Sequence, residues 1–128
     1  MNPVSGTNEL TAIVKKLQRE SSMIEACALI ANGGLMIVNL LAADMEGKRV
    51  AEVAVTVQNM VDRVAIELSR GEPKEFVVRG DSGYFILIKA DHNALLLVLA
   101  DRNSQLDLLF LELRKALVEL EKTLANGR

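Results

Sequence analysis

The sequence predicts an α/β protein of the α+β type, in which a five-stranded antiparallel sheet lies between one long helix and two terminal helices. Three segments of the 128 residues carry apolar residues at helical spacing, and five shorter apolar segments are bounded by turn residues. The resulting order is α-β-β-α-β-β-β-α. Connections within each group of strands are too short for parallel crossovers, so these pairs are antiparallel. Several strands are apolar on both faces, which requires helices on both sides of the sheet.

The N-terminal part divides into a short lead and a first helix. We expect residues 1–6 to be a flexible lead and residues 7–128 to form a single domain. Thr7 is a suitable N-cap, because its hydroxyl can accept a hydrogen bond from the first helical turn. Apolar residues then recur at helical spacing, namely Leu10, Ile13, Val14 and Leu17.

A hairpin and a long helix follow. Residues 24–31 and 35–41 are typical of strands, and the intervening Asn32-Gly33-Gly34 accepts the positive φ of a tight turn. The helix is predicted over residues 46–70, closed by Gly71. Its apolar residues keep helical period and are expected to face the sheet: Val50, Val53, Ala54, Val57, Val61, Val64, Ala65 and Leu68.

Three strands and a last helix complete the chain. The strands are predicted at residues 75–79, 84–90 and 94–100. Ser104 is predicted to cap the last helix, with Asp107 as its capping-box partner. The core stripe of this helix is Leu106, Leu109, Phe110, Leu113, Leu117, Leu120 and Leu124. The first helix is predicted to pack on a second apolar patch of the last helix, formed by Leu108, Leu111 and Val118.

Composition and charge exclude several classes of function. The net charge is -2, and no cluster of Lys and Arg offers the basic surface that nucleic-acid binding needs. The apolar run at residues 94–100 is far shorter than the roughly 20 residues of a membrane helix, so no membrane insertion is expected. No signal peptide is visible, and a single Cys fits a reducing compartment. These features predict a cytoplasmic protein.

Few residues are suited to catalysis. His92 is the only histidine and falls in a predicted turn, while Cys27 falls in an apolar strand, where a buried thiol is inert. One Cys and one His cannot form a common zinc site. Asn32-Gly33-Gly34 lacks the spacing of a phosphate-binding loop, and a strand follows it instead of a helix. We therefore predict no catalytic residue, no cofactor and no metal site.

The face of the long helix opposite its predicted core stripe is unusual. At 100° per residue this face carries Glu52, Val55, Asn59, Arg63, Ile66 and Arg70. Scattered exposed aliphatic residues are common on protein surfaces. An apolar centre with a charged rim is instead typical of a protein interface. The flanking Ala51 and Met60 widen the apolar surface, which favours the interface.

The chain resembles the Roadblock/dynein light chain family in its compact prokaryotic form. The resemblance spans about residues 7–124 and rests on the order and lengths of the elements. It is carried by the stretches IEACALIANGGLMIV, VAEVAVTVQNMVDRVAIELSRGEP and EFVVRGDSGYFILIKADHNALLLVLAD, followed by a Leu-rich last helix. The fold it implies agrees with the one predicted above, a Roadblock, profilin-like arrangement.

The resemblance implies a non-catalytic homodimer, in which the strand after the long helix joins its mate and the two long helices lie side by side. Candidate residues of the dimer interface are Val55, Asn59, Ile66, Phe76, Val77 and Val78. Residues 75–79 form a short strand beside the long helix and are predicted to lie at a sheet edge, and a bare apolar edge is a liability unless it is paired. Replacing Val78 with proline is therefore expected to weaken the dimer by removing an N–H donor from the joined ladder.

The resemblance also implies a Ras-like small GTPase as the partner, whose GTPase cycle the dimer modulates. Candidate contacts with this partner are Glu52, Arg63 and Arg70. The alternative is a scaffold or light-chain-like subunit of a larger complex, without effect on nucleotide turnover. A small-molecule sensor is disfavoured, because it needs convergent polar groups and the strands offer few besides Glu25 and Lys89.

Overall fold

The computed structural model describes residues 3–126, with side chains from Gly6 onward. The elements follow the predicted order, with the bounds α1 Pro3–Glu20, β1 Ile24–Ala31, β2 Leu35–Leu40, α2 Gly47–Glu67, β3 Glu75–Gly80, β4 Gly83–Asp91, β5 Ala94–Asp101 and α3 Leu106–Asn126. Gly33 and Gly34 both have positive φ, which confirms the tight turn predicted between β1 and β2.

The five strands form one antiparallel sheet in the order β2-β1-β5-β4-β3. β5 lies at the centre and pairs with both β1 and β4 along its length. β3 lies at one edge, as predicted, and β2 lies at the other. The chain therefore places its most apolar strand where both neighbours and both faces are covered.

Two apolar layers attach the helices to opposite faces of the sheet. α1 and α3 share one face, where Val14, Leu96 and Leu113 are fully buried. α2 covers the other face, above Leu87 and Leu97. Successive residues of a strand point to opposite faces, so the neighbours Leu96 and Leu97 belong to different layers. This arrangement confirms the predicted three-layer fold.

The backbone amides of β5 are expected to be among the slowest in the chain to exchange with deuterium. Ala94, Leu96 and Val98 are nearly inaccessible to solvent, and ladders flank the strand on both sides. Such amides open only with most of the domain. Hydrogen exchange followed by mass spectrometry measures this directly. Exchange in β5 as fast as in β3 would contradict a central, doubly covered strand.

α2 is turned about its axis relative to the orientation that its apolar stripe predicts. Its buried residues are Ala51, Ala54 and Ala65. Three bulkier members of the predicted core stripe are exposed instead, namely Val53, Val64 and Leu68. The prediction is wrong at these three positions, and Ala51, assigned to the exposed flank, belongs to the core. Alanines let the helix backbone lie close to the sheet, and the larger side chains then fall to one side.

Helix α1 begins earlier than its capping residue predicts. It starts at Pro3, so Thr7 lies inside the helix and is not its N-cap. Proline suits the first turn of a helix, because its φ is already helical and it lacks the N–H that would remain unbonded there. Of the predicted flexible lead, residues 1 and 2 lie outside the described residues, and the chain is helical from Pro3.

Helix α3 also differs from its predicted details. Ser104 Oγ donates to the Asp101 carbonyl at 2.6 Å, so Ser104 closes the preceding turn and does not cap the helix, which begins at Leu106. The patch predicted to receive α1 is exposed: Leu108, Leu111 and Val118. α1 packs instead beside Ala116, and Ser21 Oγ donates to Glu112 Oε1 at 2.8 Å. The small Ala116 side chain allows this closer approach of the two helices.

The C-terminal end of α2 lies at Glu67, three residues before the predicted end. Arg70 N–H donates to the Ala65 carbonyl at 2.8 Å, and Ser69 N–H donates to the Ile66 carbonyl at 3.1 Å. This pair of bonds is the Schellman motif, whose left-handed residue is Ser69, at a φ of 54°. Gly71, predicted to close the helix, also has positive φ but follows the motif.

Candidate protein-interaction surface

β3 presents an open apolar strand edge. It pairs with β4 without any shift of register, from Glu75 opposite Ile88 to Gly80 opposite Gly83. Val77 and Val78 point to opposite faces and are 36% and 44% exposed. The described part of the chain places no strand beyond β3. A regular apolar edge with free N–H and C=O groups is a template for another strand.

The hydrogen bonds of β3 alternate between β4 and the open edge. Lys89 N–H donates to the Lys74 carbonyl at 3.2 Å, so these two residues form a hydrogen-bonded pair. Because the register is uninterrupted, every second residue of β3 after Lys74 also bonds to β4, and the residues between them face the open edge. The residues bonded inward to β4 are therefore Phe76, Val78 and Gly80. The residues whose N–H groups point outward are Glu75, Val77 and Arg79. The expectation that a proline at Val78 removes a donor from the outer edge is wrong, since that donor belongs to Val77.

β2, at the opposite edge of the sheet, is less suited to pairing. Its register with β1 shifts between the pairs Leu29–Val38 and Ile30–Met36, which leaves Ile37 as an extra residue. A bulge of this kind bends an edge strand and interrupts its ladder. Natural sheets use bulges to prevent edge-to-edge association. β3 is therefore the edge that is open to a second strand.

α2 adds an exposed apolar flank to this surface. Three side chains of α2 and that of Leu68, which follows the helix, form what we call the α2 flank: Val53, Met60, Val64 and Leu68. All are between 46% and 61% exposed, and at 100° per residue the three helical members lie within about 40° of one another. Val57, next to the flank, and Phe76 of β3 pack against the same buried cluster. The flank and Val78 therefore lie on the same face of the sheet.

The predicted interface residues of α2 lie away from the α2 flank. Val55 is half-buried and lies against Gly34 of the hairpin. Val55 and Asn59 line a cavity of about 330 Å³ beside the hairpin tip. Ile66 is 75% exposed, more than any member of the α2 flank. Sequence analysis missed the α2 flank because hydrophobic periodicity assigned three of its members to the core.

The three charged residues predicted to contact a partner are all exposed, namely Glu52, Arg63 and Arg70. Arg70 lies beyond the end of α2, and its Nε donates to the Leu68 carbonyl at 2.9 Å. This bond satisfies one of the carbonyls left free at a helix C-terminus. Arg70 therefore has a local structural role, whereas Glu52 and Arg63 stand on the helix itself.

A cluster of charged residues lies beneath the C-terminal half of α2. Lys89 Nζ is 3.5 Å from Asp62 Oδ1 and 3.1 Å from Glu72 Oε1, and the Lys89 side chain is only 23% exposed. Gln58 Nε2 donates to Asp62 Oδ1 at 2.8 Å. The hydrogen bond from Lys89 lowers the pKa of Glu72 below its ordinary value. We call Asp62, Glu72 and Lys89 the Lys89 clasp, because they join α2, the following loop and β4.

The described residues hold no metal-binding cluster, and their free cysteine, Cys27, is buried. Burial raises the pKa of the Cys27 thiol to about 12, so the thiol is protonated at neutral pH and lacks the reactive thiolate. No group of three or more His, Cys, Asp or Glu side chains between residues 3 and 126 could hold a metal ion. Within the same range, none of the helices has the length and apolar character to cross a membrane.

Comparison with protein families identifies the class of this fold. The Roadblock/LC7 domain model matches residues 10–100, which covers β1 through β4 and nearly all of β5. The chain belongs to the Roadblock/LC7 domain family. A comparison with curated protein sequences finds no match.

Solved structures with the same fold come from several bacteria. Myxococcus xanthus MglB is 16% identical, with a TM-score of 0.89 over 95% of this chain and 92% of that one. A Roadblock/LC7 domain from Streptomyces avermitilis is 20% identical, with a TM-score of 0.82 over 91% and 98%. The gliding protein MglB from Thermus thermophilus is 17% identical, with a TM-score of 0.79 over 92% and 90%. At these identities the similarity establishes a shared fold.

Proposed function

We propose that this protein is a non-catalytic homodimer that binds a Ras-like small GTPase and modulates its GTPase cycle. The observation that carries the proposal is the open β3 edge beside the α2 flank. A two-fold axis at β3 would pair Val77 with its counterpart and extend the sheet. It would also bring the two α2 flanks together and remove their apolar side chains from water. Sedimentation equilibrium at micromolar concentration should give about twice the 14.0 kDa monomer.

The GTPase partner is supported by the family membership and by the outward face of α2. In the proposed dimer this face carries Glu52, Arg63 and Ile66, all exposed. Charged groups around an exposed aliphatic residue are typical of transient protein interfaces. The proposal places the protein in the cytoplasm, where its partner would be found, and assigns it no cofactor.

A scaffold or light-chain-like subunit is the second candidate function. The observation that favours it is a separate exposed apolar group on the outer side of α3, formed by Leu108, Leu111 and Val118. A protein with two apolar surfaces in different layers can join two partners at once. In this case GTP hydrolysis by a bound GTPase would be unchanged.

Single-turnover GTP hydrolysis distinguishes these functions. The Ras-like GTPases of the same genome, loaded with GDP or a GTP analogue, are first tested for binding in a pull-down. Hydrolysis is then measured with the wild type, Arg63→Ala and Arg70→Ala. We expect either substitution to change the rate less than about tenfold, because a rim charge mainly alters association. An arginine that reaches the transferred phosphate would instead contribute a thousandfold or more.

Arg114→Ala is the matched control, because Arg114 is an exposed arginine in the opposite helical layer. It should leave binding and hydrolysis as in the wild type. Binding without any change in hydrolysis would favour the scaffold. No binding to any Ras-like GTPase of the genome, in either nucleotide state, would refute a GTPase partner.

A further inference from the structure

α2 packs on the sheet through few buried side chains. Its buried residues are three alanines, and among them Ala65 alone lies in the C-terminal half of the helix. Val57 and Val61 are half-buried, while Met60 and Val64 point outward. Alanine burial supplies little apolar area, so packing alone fixes the C-terminal half of this helix weakly.

The Lys89 clasp supplies the missing attachment at this end of α2. Lys89 projects from the face of β4 that α2 covers, because it lies two residues from Leu87 of the same layer. Its ammonium group contacts Asp62 of α2 and Glu72 of the loop that leads to β3. Its backbone N–H donates to the Lys74 carbonyl just before β3 begins. One residue thus contacts the helix, the loop and the start of the edge strand.

We propose that Lys89 is a positioning residue that holds the C-terminal half of α2 at a fixed place relative to the β3 edge. The inference rests on the proposed function, because the α2 flank and the β3 edge are the two parts of the proposed dimer surface. The α2 flank and the β3 edge must keep a fixed distance and orientation relative to each other if a second copy is to contact them together. Removing the ammonium would also take away the cation that contacts both Asp62 and Glu72, so the two carboxylates would repel each other more strongly.

Hydrogen exchange of Lys89→Met tests the attachment without relying on dimerisation. Methionine keeps the aliphatic stem and removes the charge. In a Val77→Pro background, which is designed to be monomeric, exchange over residues 58–74 should rise about fivefold while β5 stays unchanged. Lys89→Arg should restore slow exchange, because the guanidinium reaches the same carboxylates. Adding Asp62→Asn to Lys89→Met should raise exchange little further, because Lys89→Met has already removed the contact between Asp62 and Lys89.

Lys16→Met is the matched control, because Lys16 forms an exposed ion pair with Glu119 at 3.9 Å and should leave residues 58–74 unaffected. Without the Val77→Pro change, Lys89→Met should also weaken dimerisation about fivefold. Unchanged exchange over residues 58–74 would overturn the inference, as would an equal rise in β5, which indicates general destabilisation. A monomeric wild type would refute the proposed dimer, yet the exchange measurement would still decide the role of Lys89.

Discussion

Replacing Val77 with proline is expected to convert the proposed dimer into a folded monomer. The Val77 N–H points away from β4, so proline at this position removes no hydrogen bond within the chain. In a two-fold strand pair the substitution acts twice, once from each protomer. Two lost ladder bonds at about 1 kcal/mol each, with the added clash of the rings, should weaken dimerisation by at least roughly thirtyfold.

Val78→Pro is the matched comparison, one residue further along the same strand. Val78 bonds inward to β4 opposite Phe85, so proline there breaks the intrachain ladder and should lower the stability of the protomer itself. Sedimentation velocity across a concentration series, with thermal unfolding of each variant, separates the two effects. A Val77→Pro protein that dimerises as tightly as the wild type would show that β3 is not the joining strand.

The sequence was sufficient to predict the five-stranded antiparallel sheet and the helical layers on its two faces. β5 is apolar at every position from Ala94 to Ala100, and such a strand is stable only at the centre of a covered sheet. The position of β3 at an edge followed from its short length and its place after the long helix. These features are encoded locally, in the residues of one element and the length of its connections.

The orientation of α2 could not be predicted in the same way. Its valines and alanines share the same helical period, and periodicity alone cannot tell which apolar side faces a core and which faces another molecule. The packing decides, because Ala51 and Ala54 allow a closer approach to the sheet than Val53 does. The contacts of Lys89 could not be predicted either, because its partners Asp62 and Glu72 are distant in sequence and approach it only in the folded chain.

The two faces of β5 are expected to respond differently to the loss of a leucine side chain. Leu96→Ala should lower the free energy of unfolding by about 4 kcal/mol, near the upper end for buried leucines. Its layer is filled by large, fully buried side chains that resist collapse into a cavity: Val14, Leu109, Leu113 and Leu120. Leu97→Ala should cost about 2–3 kcal/mol, because α2 packs on the sheet through alanines and half-buried valines, whose side chains can rearrange and fill part of the space.

Urea denaturation in the Val77→Pro background measures both losses without a contribution from dimerisation. Leu108→Ala is the surface control, since Leu108 is 47% exposed and its truncation should change stability by less than about 0.5 kcal/mol. In the protein that keeps Val77, Leu97→Ala should also weaken dimerisation, because α2 carries part of the proposed interface, whereas Leu96→Ala should not. Equal losses of stability for the two leucines, or a larger loss for Leu97, would contradict the weak apolar packing of α2 on the sheet.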